Sequence, residues 1–461
     1  MTNYAFTEKG GLQYESSGNY CLDFFARVGA VRQLALNGGQ DYIWKLFCEA
    51  YKADKETAMK ILFWARWCRG GAGERATFHI IFEKLCSAQP AFIVDNLSAL
   101  VNYGYWKDLV PYLSDISVGW NITQFWADAI EKKDRLACKW APRKGEAAKT
   151  LKDALGFTWK EYRQHLHKNS ETVEQQMCNK AFESIQYSNV PSIAMTKYKK
   201  AFDKRDENRF IEWKNDKGSK ANASVLYPHQ IRAVLFGDEA LGEKLWVNLP
   251  DYIAEGESIL PMVDVSGSME MYGANPMPID VSTSLGIYLA ERNKGQFKNR
   301  CLTFSASPEF FELKEDWSLK DKFNRLRQAD WGMTTDFEKA YELILDTAEA
   351  FAVPQDCMPT MLLVLSDMQF DESQRGEKKP HLEHIRDRFK KAGYNMPKLV
   401  FWNLREAGTG APATSTDNGV ALVSGFSPAI MTAILAAEDF NPVDVMMEAL
   451  VPIELNIGAL A

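Results

Sequence analysis

Several features that would settle a function at once are missing from this sequence. No C-x-x-C pair occurs among the eight cysteines, Cys21, Cys48, Cys68, Cys86, Cys138, Cys178, Cys301 and Cys357. Their scatter argues against a zinc cage and a disulfide framework, and for reduced thiols in a cell interior. The first eleven residues lack the basic-then-apolar pattern of an export signal. One uncharged run, residues 419–437, nears membrane-spanning length, but Gly425, Ser427 and Pro428 interrupt it. It reads as strand, turn and helix, not as a bilayer span. There is no overall basic excess, since 461 residues carry a net charge of -7. No G-x-G-x-x-G follows the first strand of the C-terminal half, which excludes a dinucleotide fold. No G-x-S-x-G elbow with a histidine partner supports a serine hydrolase. The expectation is a cytoplasmic protein with no membrane partner.

What is present divides into two parts. From Cys21 onward, for about two hundred residues, apolar side chains recur at three- and four-residue spacing, as at Ala58, Ile61, Leu62, Ala65 and Cys68. Breakers such as the glycine-rich stretch 70–73, Pro90, Gly104, Pro111 and Gly119 divide this stretch into amphipathic helices without an exact period. A stack of degenerate helical hairpins fits that pattern. Beyond residue 256 strands and helices alternate. The strands are expected at 258–263, 300–304, 360–365, 398–403 and 420–424, and the helices at 278–292, 319–328, 336–350, 381–392 and 428–437. The predicted fold is therefore an α-helical repeat module over residues 1–255, followed by a doubly wound, mainly parallel α/β sheet domain over residues 256–461.

Chemistry concentrates where the first strand of the second part ends. The apolar run 258–263 leads into Asp264, and Ser266 and Ser268 follow in the pattern D-x-S-x-S. A second loop, Gly332-Met333-Thr334-Thr335-Asp336, precedes a helix, and a third strand ends in Ser366-Asp367. All three segments fall at the carboxyl edge of the predicted sheet, where open α/β folds place their ligands. Hydroxyl and carboxylate oxygens without nitrogen or sulfur suit a hard cation, Mg²⁺ or else Mn²⁺ or Ca²⁺. His381 and His384, three apart on a helix, could share a metal, but no third ligand is evident and a surface helix accounts for them.

Charge is uneven along the chain. Residues 131–232 hold 22 Lys or Arg against 13 Asp or Glu, which describes either an anion-binding face or the solvated side of several helices. Within and near this segment lie basic residues interleaved with aromatics: Lys139-Trp140-Ala141-Pro142-Arg143-Lys144, and Lys197-Tyr198-Lys199-Lys200. Single strands of nucleic acid are held by stacking and backbone neutralisation of this kind, and lysine-rich helix faces carry the same composition. Arg69 and Arg75 flank the glycine stretch, which reads either as a phosphate-contacting nest or as a helix cap with a tight turn.

The D-x-S-x-S element with its two partner loops resembles the metal-ion-dependent adhesion site of von Willebrand factor A domains. The resemblance implies that Ser266, Ser268 and Thr335 touch the metal, directly or through water, while Asp264 and Asp367 act largely through bound waters. It leaves the ion a position for an outside carboxylate or phosphate. Longer stretches, including 69–75, Gly104-Tyr105-Trp106-Lys107-Asp108-Leu109, 139–143, 263–269, 365–371 and Phe401-Trp402-Asn403-Leu404-Arg405, resemble a family of unknown function from plants, fungi and large DNA viruses. In that family a helical part precedes a von Willebrand A-like part. The same order is similar to the Ro autoantigen family, where a TROVE module of HEAT-like helical repeats meets a von Willebrand A domain and binds small structured RNA.

These resemblances imply a non-enzymatic, Ro-like ribonucleoprotein component. Small structured or single-stranded RNA would lie on Arg69, Arg75, Lys139, Arg143, Lys144, Lys197, Lys199 and Lys200. A divalent-metal site would take an acidic group. The alternative is a scaffold that clamps a partner protein's carboxylate through the metal, and a third class is a metal-dependent phosphoester hydrolase. A phosphatase of the two-aspartate kind would need a second aspartate where Ser266 stands.

Overall fold

The computed structural model describes residues 4–6, 12–36, 38–170, 172–253, 255–270, 275–305, 307–329, 337–368, 382–405, 411–437 and 440–460. A small antiparallel hairpin, β1 (Tyr4–Phe6) with β2 (Leu12–Tyr14), comes first. Helices then run from Tyr20–Val28 to Glu239–Val247 without another strand among the described residues. Their starts follow from local chemistry. The Asn19, Asp54, Asp134 and Asp238 side chains each accept from a backbone N–H of the first turn, satisfying a donor that the helix itself leaves open.

The second part is one six-stranded sheet in the order β5-β4-β3-β6-β7-β8. Its strands are β3 (Ile259–Val263), β4 (Arg300–Thr303), β5 (Phe310–Glu312), β6 (Met361–Ser366), β7 (Lys398–Asn403) and β8 (Val420–Ser424). All pairings are parallel except β4 with β5. Every residue of β3, β6 and β8 is buried, as expected when helices cover both faces. The five anticipated strands are present. The edge strand β5 is three residues long, too short to show a period in the sequence. Run 419–437 forms β8, a turn and helix Ile430–Ala436, and no helix among the described residues is long and apolar enough to cross a membrane.

The two parts are joined at several places. Helix Tyr20–Val28 packs on β8. There the Ser424 hydroxyl accepts from Gly29 N–H at 3.0 Å and donates to the Phe25 carbonyl at 3.0 Å. A Cβ on Gly29 would lie 2.6 Å from the Ser424 carbonyl oxygen, so only glycine allows this approach. At the other end of the helical part, Pro228–Leu235 packs on helix Pro278–Arg292, and Trp246 of the next helix donates its indole N–H to Glu291 at 2.8 Å. The turn after helix Lys55–Arg66 also meets the start of helix Pro228–Leu235, because the Tyr227 hydroxyl donates to the Cys68 carbonyl at 3.1 Å. Gly73, at φ +69°, makes room for that hydroxyl. The 69–75 turn is thus built around a packing contact. The C-terminal segment closes a further seam, with Asn96 and Asn456 exchanging hydrogen bonds of 2.8 and 2.7 Å.

Candidate functional site

The strand order places a topological switch at β3 and β6. From β3 the chain moves outward to β4 and β5, then returns to lay β6 on the other flank of β3. Asp264 and Asp367 leave the carboxyl ends of these two neighbours. That crevice is where doubly wound sheets hold ligands. Helix Pro278–Arg292 fixes the two ends together, since the Ser282 hydroxyl donates to the Asp264 carbonyl at 2.9 Å and contacts the Leu365 carbonyl at 3.3 Å.

Both carboxylates are almost fully buried, at 1% exposure each. One Asp264 oxygen accepts from Ser266 N–H at 2.8 Å and the other from the Ser366 hydroxyl at 2.7 Å. Burial, and then the charge of Asp367, push the Asp264 carboxyl up to about 6, against the hydrogen bonds from Ser266 and Ser366 that favour its ionised form. The Ser266 and Ser268 hydroxyls lie 3.0 Å apart, Ser266 capping the short turn Gly267–Met269 that carries Ser268. The Arg405 guanidinium approaches both Asp367 and the Ser268 carbonyl at 3.3 Å.

This donor set fits a hard divalent cation. Two crowded, buried carboxylates are relieved by positive charge, and their neutral hydroxyl neighbours keep an ion electrophilic. Four of the five anticipated ligands, Asp264, Ser266, Ser268 and Asp367, come together at this edge. Thr335 and its neighbour Thr334 lie outside the described residues, as does His381. His384 is exposed, with Glu338 at 3.8 Å, as on a surface helix. Among the described residues no group of three His, Cys, Asp or Glu side chains gathers to hold a metal. Ser282, Ser366 and Arg405 were not anticipated. Only the position of Arg405, two residues past the end of β7, could have suggested it.

The basic residues distribute over three places. Arg69 is exposed and its charge acts on the Tyr105 phenol. Tyr105 lies 6.2 Å from the Trp140 ring, over which the Lys139 ammonium stands at 5.5 Å. Glu174, which feels the charge of Lys139, accepts from the Tyr198 hydroxyl at 3.1 Å, and Lys197 stands 5.0 Å from the Tyr198 ring. Three half-buried aromatic rings and three cations from separate helices and turns thereby lie along one stripe, with the Glu174 carboxylate between Lys139 and Tyr198 and with Arg143 and Lys144 exposed on the turn after Trp140. Lys200 is exposed as well, whereas Lys199 is half-buried and lines a cleft.

Arg75 has a different setting. Its Nε donates to Asp108 at 2.9 Å, and Asp108 also receives two bonds from buried Arg66, at 2.9 and 2.6 Å, and a contact from His79 at 3.3 Å. Burial raises the Asp108 carboxyl, but the His79 hydrogen bond and the charges of Arg66 and Arg75 outweigh it and hold the group down at about 2.

Helical region, doubly wound sheet and switch-point carboxylates together define a two-part α plus α/β protein. The chain belongs to the family of the domain of unknown function DUF2828, which it matches over residues 7–135 and 121–245, and residues 258–451 match a second domain of unknown function, DUF7788. It is 28% identical to the uncharacterized protein L728 of Acanthamoeba polyphaga mimivirus, over 99% of this chain and 89% of that one. The crystal structure of the Ro (RSR) protein of Deinococcus radiodurans is similar over 92% of this chain and 93% of that one, with 14% sequence identity and a TM-score of 0.41.

Proposed function

We propose that this protein is a non-enzymatic RNA-binding protein, with single-stranded RNA or the unpaired segments of a structured RNA lying along the helical stripe. The observation that carries this reading is the stripe itself, in which Tyr105, Trp140 and Tyr198 interleave with Arg69, Lys139 and Lys197. Rings offer every base a stacking face, worth about 1–3 kcal/mol per base, while the cations neutralise the backbone. The 22-to-13 basic excess of residues 131–232 supports it within an acidic chain.

The switch-point edge is proposed to hold a divalent cation, Mg²⁺ or Mn²⁺, on Ser266 and Ser268 with Asp264 and Asp367 behind them; Thr335 is the fifth ligand by sequence. Bound there, the ion would supply an electrophilic point for a phosphate or carboxylate oxygen. Arg405 adds a cation to the same rim and favours an acidic visitor. A protein ligand is the second reading. The exposed side chains Ile116 and Trp120 of the helical part, at 103% and 72% exposure, favour it as apolar anchors.

The test is binding of a labelled single-stranded RNA and a hairpin RNA to the full chain across a salt series. Affinity is expected to fall steeply as salt rises, with a log–log slope of about -0.7 per neutralised phosphate for single strands. Absence of binding at low salt overturns the RNA reading. Nuclease-resistant capture of a protein partner that chelator releases would establish the second.

A further inference from the structure

A cleft of about 590 Å³ opens where three parts of the molecule meet: the 72–73 turn, the helices Ser192–Arg205 and Pro228–Leu235, and the segment 275–277 that leads into helix Pro278–Arg292. Its size is that of a small-molecule site. The charges lining it do not balance internally. Arg232 is matched, since it pairs with Asp280 at 3.0 Å, and Arg327 bridges Asp280 and Glu270 at 3.2 and 2.9 Å. Arg32 and Lys199, both half-buried, make no hydrogen bond or ion pair among the described residues. The buried Glu74 carboxyl, pushed upward by desolvation, feels the charge of Arg32 without a hydrogen bond to it.

His229 supplies the second observation. It lines the same cleft, is 8% exposed, and its Nδ1 is buried without a partner. Burial and the charge of Arg32 keep the imidazole neutral, down at about 3, so one ring nitrogen carries a proton to donate and the other can accept. The rings of Tyr227 and Phe426 flank it at 5.7 and 5.9 Å. Two cations without hydrogen-bonded or ion-pair partners, a buried neutral imidazole and aromatic walls in one cleft make a built site.

We infer that this seam cleft binds a nucleotide through its phosphate monoester, the dianion matching Arg32 and Lys199 and the base lying against Tyr227 and Phe426. The chemistry is a terminal phosphate with an aromatic body, which a free mononucleotide or the 5′ end of an RNA would supply. The cleft is distinct from the Asp264 edge and from the helical stripe, and the inference stands whether or not those bind RNA.

Calorimetric titration of AMP and of adenosine into the full chain, with EDTA present to remove any divalent ion, tests it. AMP is expected to bind and adenosine to bind at least tenfold more weakly. The Arg32→Gln/Lys199→Gln double variant is expected to lose at least tenfold in AMP affinity with an unchanged melting temperature. As a measurement independent of variants, AMP should slow modification of Lys199 by an amine-reactive reagent. Competition with AMP by a 5′-phosphorylated tetraribonucleotide, and not by its 5′-hydroxyl form, would assign the phosphate to RNA ends, and competition by neither would assign it to free nucleotides. Absence of AMP binding at millimolar concentration, or equal binding by the double variant, would overturn the proposal.

Discussion

Asp108 shows how few residues decide whether the helical part holds together. Its carboxylate receives Arg66, Arg75 and His79 from the helices and turn on either side of residues 67–75, and Arg66 is as buried as its partner, at 4% side-chain exposure. Replacing Asp108 by Ala leaves that guanidinium unpaired in the interior, a change that costs about 3–5 kcal/mol. Urea unfolding of Asp108→Ala should show a loss of this size, and a loss below about 1 kcal/mol would remove the network from the account. His229 makes a pH prediction with a definite sign. Its folded value of about 3 lies below the unfolded value of about 6.5, so the unfolded chain takes up the proton first as pH falls. The stability it contributes is complete above about pH 6.5 and declines toward pH 3, by up to about 1.4 kcal/mol per pH unit. A His229→Gln variant is expected to flatten the stability–pH profile between pH 6.5 and 4; an unchanged slope would contradict this.

At the scale of elements, the central strands were legible because burial on both faces demands continuous apolar runs, and 258–263, 360–365 and 398–403 are such runs. The switch-point aspartates were legible for a related reason: a charge at the end of a buried strand is costly unless it has work to do there. Arg405 was not, because nothing in a linear sequence says that the end of β7 faces Asp367. The stripe was half legible. Lys139-Trp140 and Lys197-Tyr198 each show the composition, but only folding brings them into line with Tyr105 and Arg69. The stripe predicts that Trp140→Ala weakens single-stranded RNA binding with little change of salt slope, since it removes stacking alone. Lys139→Gln/Lys197→Gln should instead reduce the slope by about 1.4 units, two phosphates at about 0.7 each. Anisotropy titrations over a salt series separate the two, and equal slopes in the double variant and the parent would place RNA elsewhere.

As a whole molecule the chain is bound together by contacts between residues hundreds of positions apart, and these were invisible in the sequence. Gly29 meets Ser424, and Asn96 meets Asn456. Such seams couple the helical part to the sheet, so both are expected to unfold in a single transition. Gly29→Ala places a methyl carbon against the Ser424 carbonyl and should split that transition, or lower its midpoint, in calorimetry; a parent-like melt would show that the seam yields without cost. The central claim at this scale is that the edge between β3 and β6 takes a divalent cation. Titration of Mn²⁺ into the metal-free full chain tests it most directly. One ion per chain is expected in the parent and at least tenfold weaker binding in Ser266→Ala/Ser268→Ala, with the melting temperature in EDTA unchanged. No binding in the parent, or equal binding in the variant, would contradict it.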